Sequence, residues 1–210
     1  MMCKDNIDSW SIYFSSDDLL NFAIFTGSMY NFIDDKNFDE KNKPWPTNIV
    51  TQDFNNYDFN KLKLQWNSWF NDIIKHKYTN VNSDKMCSSI EWTYDINKFS
   101  ELGYIELRDF CIKAYPHFNE WWNMQVGGKN ALSFHEFVGN ENFSKYINEY
   151  ISELECKVNR KCRPFKLYID IVYTGIPTVL DINDEYIVVT PNWYFDLNKD
   201  WWINKLSNLI

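Results

Sequence analysis

Few residues in this chain have the type and spacing that chemistry requires, and the clearest is His135, followed directly by Glu136 in Ser133-Phe134-His135-Glu136-Phe137. A carboxylate beside an imidazole can orient it for general acid or base work. The plainer reading is a histidine that faces solvent or bonds a backbone group. His76 lies between Lys75 and Lys77, where a solvated cationic cluster at a helix end accounts for it, and His117 stands alone. Paired carboxylates could serve glycoside chemistry, which needs two acids on opposite sides of a sugar. Yet Asp17-Asp18 and Asp34-Asp35 have the character of a helix start and a loop. Asp170 and Asp181 each interrupt an apolar strand pattern, and the expectation for both is a solvated sheet face.

Other chemistries find no motif. The sequence has no glycine-rich phosphate loop, no G-x-S-x-G turn, no H-E-x-x-H and no C-x-x-C, and it holds only 6 glycines. Of its five cysteines (Cys3, Cys87, Cys111, Cys156 and Cys162), the closest two have five residues between them, too wide for a zinc knuckle. Reduced thiols are expected, with no metal and no cofactor.

Charge points elsewhere. Residues 1–60 carry ten acids against four lysines, and the formal net charge of the chain is −8. An acidic surface repels phosphate backbones and attracts basic partners, which argues against nucleic acid. The acids are densest in the loop-like segment from Asp34 to Pro46, which also holds Trp45. Asp34, Asp35, Asp39, Glu40 and Trp45 are therefore the expected contacts to a partner, the acids steering and the ring anchoring. A basic island, Lys157, Arg160, Lys161, Arg163 and Lys166, has the place of cations beyond a helix C-terminus.

The elements that must position these residues follow from periodicity. Ser15-Ser16-Asp17-Asp18 opens a helix and Gly27 ends it. Phe59, Leu62, Trp66, Trp69, Phe70, Ile73 and Ile74 recur at three and four, one face of a second helix. Leu107, Phe110, Cys111, Ala114, Phe118, Trp121, Trp122 and Gln125 make a third stripe that keeps phase across Pro116, as one kinked helix or two collinear ones. Residues 127–140 read as a loop after the Gly127-Gly128 stop. A fourth helix, capped by Asn140 or Asn142, presents Phe143, Tyr146, Ile147, Tyr150, Ile151, Leu154 and Val158.

Beyond Pro164 the period shortens to two. Phe165 to Tyr173 is a strand, and Thr178 to Ile182 with Glu185 to Thr190 form a hairpin across Asn183-Asp184. Asp196 or Asn198 caps a last helix bearing Trp201, Trp202, Leu206 and Leu209. Weaker strand patterns occur at Ser11 to Phe14, Asn48 to Gln52 and Ser89 to Tyr94. The whole is an α+β chain, mainly helical with a small antiparallel sheet toward the C-terminus, and one domain over residues 1–210.

The chain holds 16 Phe, 13 Tyr and 10 Trp, 19% of its residues, with a mean hydropathy of −0.48. Most rings fall on the stripes and belong to a core. Adjacent residues on a helix point about 100° apart, so one tryptophan of each of the pairs Trp121-Trp122 and Trp201-Trp202 is expected at a margin. No apolar run reaches the roughly 20 residues that span a bilayer, and the N-terminus lacks a basic-then-apolar leader, so a cytoplasmic chain is expected. The Asn, Lys, Ile and Asp bias resembles low-GC bacterial or phage proteins. Taken together, the residues suggest an acidic protein-binding module, an immunity-, antitoxin- or anti-defence-type inhibitor of a basic partner. The alternative is a carbohydrate- or small-ligand-acting enzyme or binder with an aromatic-lined, carboxylate-containing pocket.

Overall fold

A computed structural model describes residues 10–33, 57–81, 94–172, 179–190 and 198–209. In chain order these form β1 (Trp10–Ser15), α1 (Asp18–Met29), α2 (Phe59–Val81), α3 (Ile105–Trp122), α4 (Gly128–Val158), β2 (Phe165–Ile171), β3 (Val179–Asn183), β4 (Tyr186–Val189) and α5 (Lys199–Ser207). The class is α+β, as the periodicities imply.

The sheet is mixed instead of antiparallel. Its order is β1-β2-β4-β3, with β1 and β4 both parallel to β2, and only the β3–β4 hairpin antiparallel. The N-terminal pattern at Ser11 to Phe14 supplies an edge strand, so the sheet joins the two ends of the sequence. Parallel strands are buried on both faces, which is why β4 is buried along its length and β2 everywhere but Lys166. The expected strand at Asn48 to Gln52 lies outside the described residues, as does all of Ser89 to Tyr94 except Tyr94.

Helix α1 begins where Asp17 accepts a hydrogen bond from the Leu20 amide at 2.8 Å. The cap is thus Asp17 rather than a serine. The helix runs past Gly27, whose role is proximity: a Cβ there would lie 2.4 Å from Cζ2 of Trp66. That notch lets the Trp66 indole reach the Ala23 carbonyl, which accepts from Nε1 at 2.8 Å. The α2 stripe is buried as its spacing predicts, through Leu62, Trp66, Trp69, Ile73 and Ile74, with Phe59 and Phe70 at its margin.

Helix α3 is continuous with Pro116 inside it, and Gln125 lies exposed beyond its end. Both Trp121 and Trp122 are buried, which overturns the expectation that one would be marginal. Phe25 stacks on Trp121 from one side and Phe118 on Trp122, while Gly128, at φ 46°, lies against the Trp122 backbone. Two elements cover this helix end, so a single narrow stripe underestimates what is enclosed. At the other pair the expectation holds: Trp202 is buried and Trp201 half-buried.

Residues 128–140 are helical instead of a loop, and α4 is 31 residues long. The double glycine turns the chain and a new helix starts at once, with Leu132 anchored in the core. Farther along, Ile147, Ile151 and Leu154 are buried, but Tyr146 and Val158 are exposed, so the buried face is narrower than the pattern implied. The core centres on Phe22, whose ring lies 5.2–6.0 Å from those of Trp69, Phe99, Tyr115 and Phe118.

Candidate functional site

The three parallel strands end near one another, and the register places Ser15 beside Asp170. Strand alternation puts Tyr13, Ser15, Tyr168, Asp170 and Tyr186 on one face of the sheet. The carboxyl edge of parallel strands is where open α/β sheets bind ligands. Here that edge holds a buried charge cluster.

Lys77, near the end of α2, is only 5% exposed. Its Nζ lies 3.1 Å from Oδ2 of Asp17 and 3.1 Å from Oδ2 of Asp170, both buried. Asp170 also accepts hydrogen bonds from the Ser15 hydroxyl and, at 2.7 Å, from the Tyr186 hydroxyl. Asn21 donates from Nδ2 to the Asp17 carbonyl at 2.9 Å and to the Ile171 carbonyl at 3.2 Å. Five elements thus meet at one lysine. Burial by itself would lower the Lys77 pKa, but the Asp170 and Asp17 carboxylates more than offset it and hold the pKa above the usual lysine value. The ammonium stays charged and is no nucleophile.

Glycoside chemistry needs room for a sugar between two acids. The two carboxylates that the fold brings face to face, Asp17 and Asp170, have an ammonium there. The cluster ties α1, α2 and the sheet together, with the hydroxyls of Ser15 and Tyr186 completing the coordination of Asp170.

Beside this cluster, His135 and Glu136 lie on α4, each half-buried. The His135 Nδ1 and the Glu136 Oε1 are buried without a hydrogen-bond partner. Burial lowers the His135 pKa. Burial, together with the charge of Asp170, raises that of Glu136, while the Ser16 hydroxyl and the Lys129 charge work in the opposite sense. His135 and Glu136 are neighbours in sequence, but no hydrogen bond joins them, so no oriented acid–base pair forms.

The sequence expectations fare unevenly. Asp34, Asp35, Asp39, Glu40 and Trp45 lie outside the described residues. Asp181 is exposed as expected, and it pairs with the buried Lys205 of α5. Asp170 is buried with partners, and the solvated cationic cluster around His76 is only half right: Lys75 and His76 are exposed, Lys77 is not. The signal for Lys77 was present. It falls four residues after Ile73 and three after Ile74, on the apolar stripe itself.

The basic island straddles the end of α4, with Lys157 in its last turn and Lys166 in β2; between them Asn159 adopts the left-handed cap at φ 52° and Lys161 meets Glu155 at 2.7 Å. Cys111 and Cys156 are free thiols, and the buried Cys162 thiol donates to the Arg163 carbonyl. Among the described residues no group of three His, Cys, Asp or Glu is disposed to hold a metal, and no helix is long and apolar enough to cross a membrane. The chain is therefore an α+β protein with a mixed sheet and a lysine-centred cluster at its carboxyl edge. No known protein family, curated protein or solved structure matches it.

Proposed function

We propose that this chain is a protein-binding module that captures a basic protein, in the manner of an immunity- or antitoxin-type inhibitor. The observation that carries the reading is on α4, where Phe134 and Phe137 are 64% and 63% exposed. They stand three residues apart, on the side of the helix away from the buried Leu132. Met124 and Val126 are also exposed in the turn that leads into α4. Large rings anchor interfaces because they bury much area at little entropic cost.

The net charge of −8 selects the partner's chemistry. A basic surface is attracted over distances set by ionic strength, and burial of the rings then slows release. Asp34, Asp35, Asp39, Glu40 and Trp45 belong to the same proposal as steering acids and a further anchor.

The test immobilises the full chain and the Phe134→Ser/Phe137→Ser variant, passes host lysate over both, and identifies what is retained. A protein of basic isoelectric point, released by salt and lost with the double variant, supports the reading. No retained protein, or retention indifferent to both salt and the two substitutions, overturns it.

A further inference from the structure

The charge of the chain reverses where α4 ends. No acid stands between Glu155 and Asp170, and Lys157, Arg160, Lys161, Arg163 and Lys166 gather there in a chain whose net charge is −8. All five are exposed. A helix C-terminus attracts cations only over its last turn, which holds Lys157 alone. The other four need a different account.

The turn that carries them is fixed from beneath. Asn159 reverses the chain in the left-handed conformation, and the Arg160 amide closes back on the Glu155 carbonyl at 3.2 Å. The Glu155 carboxylate accepts from the Cys162 amide at 2.8 Å and from Lys161 at 2.7 Å. Cys162 and Phe165 are buried, which anchors the backbone and leaves the cations beside them outward. Even within its ion pair, the Lys161 side chain is 90% exposed. We propose that this turn is a docking surface for a short acidic segment of a partner protein, whose carboxylates pair with the lysines and arginines of residues 157–166.

Charge complementarity selects an anion, and the surroundings limit its size. Because the island is the exception in an acidic chain, a duplex nucleic acid or an anionic membrane laid across it would run onto like charge. Five side chains spread over an exposed turn suit several separate carboxylates better than one small ion, and each arginine can hold a carboxylate through two parallel hydrogen bonds. Pairing with a second copy across a two-fold axis would set cation against cation, so copies could join here only head to tail. The surface therefore fits a different protein. About 30 Å of helix separates Phe137 from Lys157, so this contact stands apart from the ring-anchored one and neither depends on the other.

Amide NMR of the full natural chain, titrated with hexaglutamate, locates the contact. Saturable shifts confined to residues 157–166 and their immediate neighbours are expected, reversed by about 0.5 M sodium chloride. Lys157→Gln/Arg163→Gln should weaken the affinity roughly fivefold, the worth of two exposed ion pairs. Lys75→Gln/Lys98→Gln, which removes the same charge from two exposed lysines elsewhere, should leave it unchanged. Equal weakening by both pairs would reduce the effect to overall charge and overturn the proposal, as would shifts outside the turn or none at all. Tighter binding of duplex DNA or inorganic phosphate at the same amides would overturn it in favour of a phosphate ligand. The mapping on the natural chain decides the location without either variant.

Discussion

Lys77 and Asp170 meet at 3.1 Å across 93 positions of sequence, in surroundings that exclude nearly all water. Such a pair stabilises only while it is complete. Removing one partner strands a buried charge, which costs about 3–5 kcal/mol. Lys77→Met should therefore lower the urea midpoint sharply. Adding Asp170→Asn to it should recover part of the loss, because Asn can accept from one of the Ser15 and Tyr186 hydroxyls and donate to the other without carrying charge. Equal losses for the single and double variants would show that Lys77 matters for its packing alone.

The same ammonium predicts an alkaline limb. Its pKa is raised in the folded chain, so between the ordinary value of 10.5 and the folded one the native state binds more protons than the unfolded. Stability from this group is fully present below 10.5 and is lost as pH rises through the folded value. Denaturation measured from pH 8 to 11 should fall more steeply for the natural chain than for Lys77→Met. Parallel curves would contradict this assignment.

Gly27 and Trp66 form a notch and its filling. Alanine is the better helix former by about 1 kcal/mol, but here its Cβ would meet the indole at 2.4 Å. Overpacking of that kind costs about 1–3 kcal/mol. Gly27→Ala should be destabilising on thermal denaturation, and pairing it with Trp66→Phe should cost less than the two changes summed. A stabilised Gly27→Ala would mean that Trp66 moves aside freely.

At the centre of the ring cluster, Phe22→Ala should cost about 3–5 kcal/mol, since four rings from three neighbouring segments would face the void. Tryptophan fluorescence should report it, because Trp69 packs edge-on against Phe22. A loss under 1 kcal/mol would mean that the cluster collapses to fill the space.

Phe134 and Phe137 give the opposite expectation. Their replacement by serine should leave stability within about 0.5 kcal/mol of the natural chain, as for other exposed positions. Partner affinity, measured by surface plasmon resonance, should fall at least about tenfold, the equivalent of one modest anchor. A large loss of stability would instead mark the two rings as part of the fold.

Local rules made much of this architecture legible. The β3–β4 hairpin was readable because Asn183-Asp184 supports a tight turn between alternating strands, and α2 because its stripe lasts more than four turns. The parallel sheet was not readable, since the partner of β1 lies some 155 residues away and nothing local names it. Lys77 shows the same limit at the site. Its neighbours Lys75 and His76 suggest solvent, and only the distant Asp170 and Asp17 make its burial tolerable. The start of α4 was missed for a different reason: Gly127-Gly128 both ends one helix and admits the next, and the ring packing around Trp122 decides between stopping and turning.

The order in which the chain is made gives the sheet a history. β1 leaves the ribosome some 155 residues ahead of its neighbour β2, which begins at Phe165. Vectorial synthesis at about 5–20 residues per second leaves β1 unpaired for on the order of ten seconds. Asp17 waits about as long for Asp170, and Lys77 waits for the 93 positions that separate them. The aromatic helices can gather during that interval, but the lysine-centred junction closes only once Asp170 of β2 has emerged, so chains truncated before Phe165 should present a bare strand edge and aggregate.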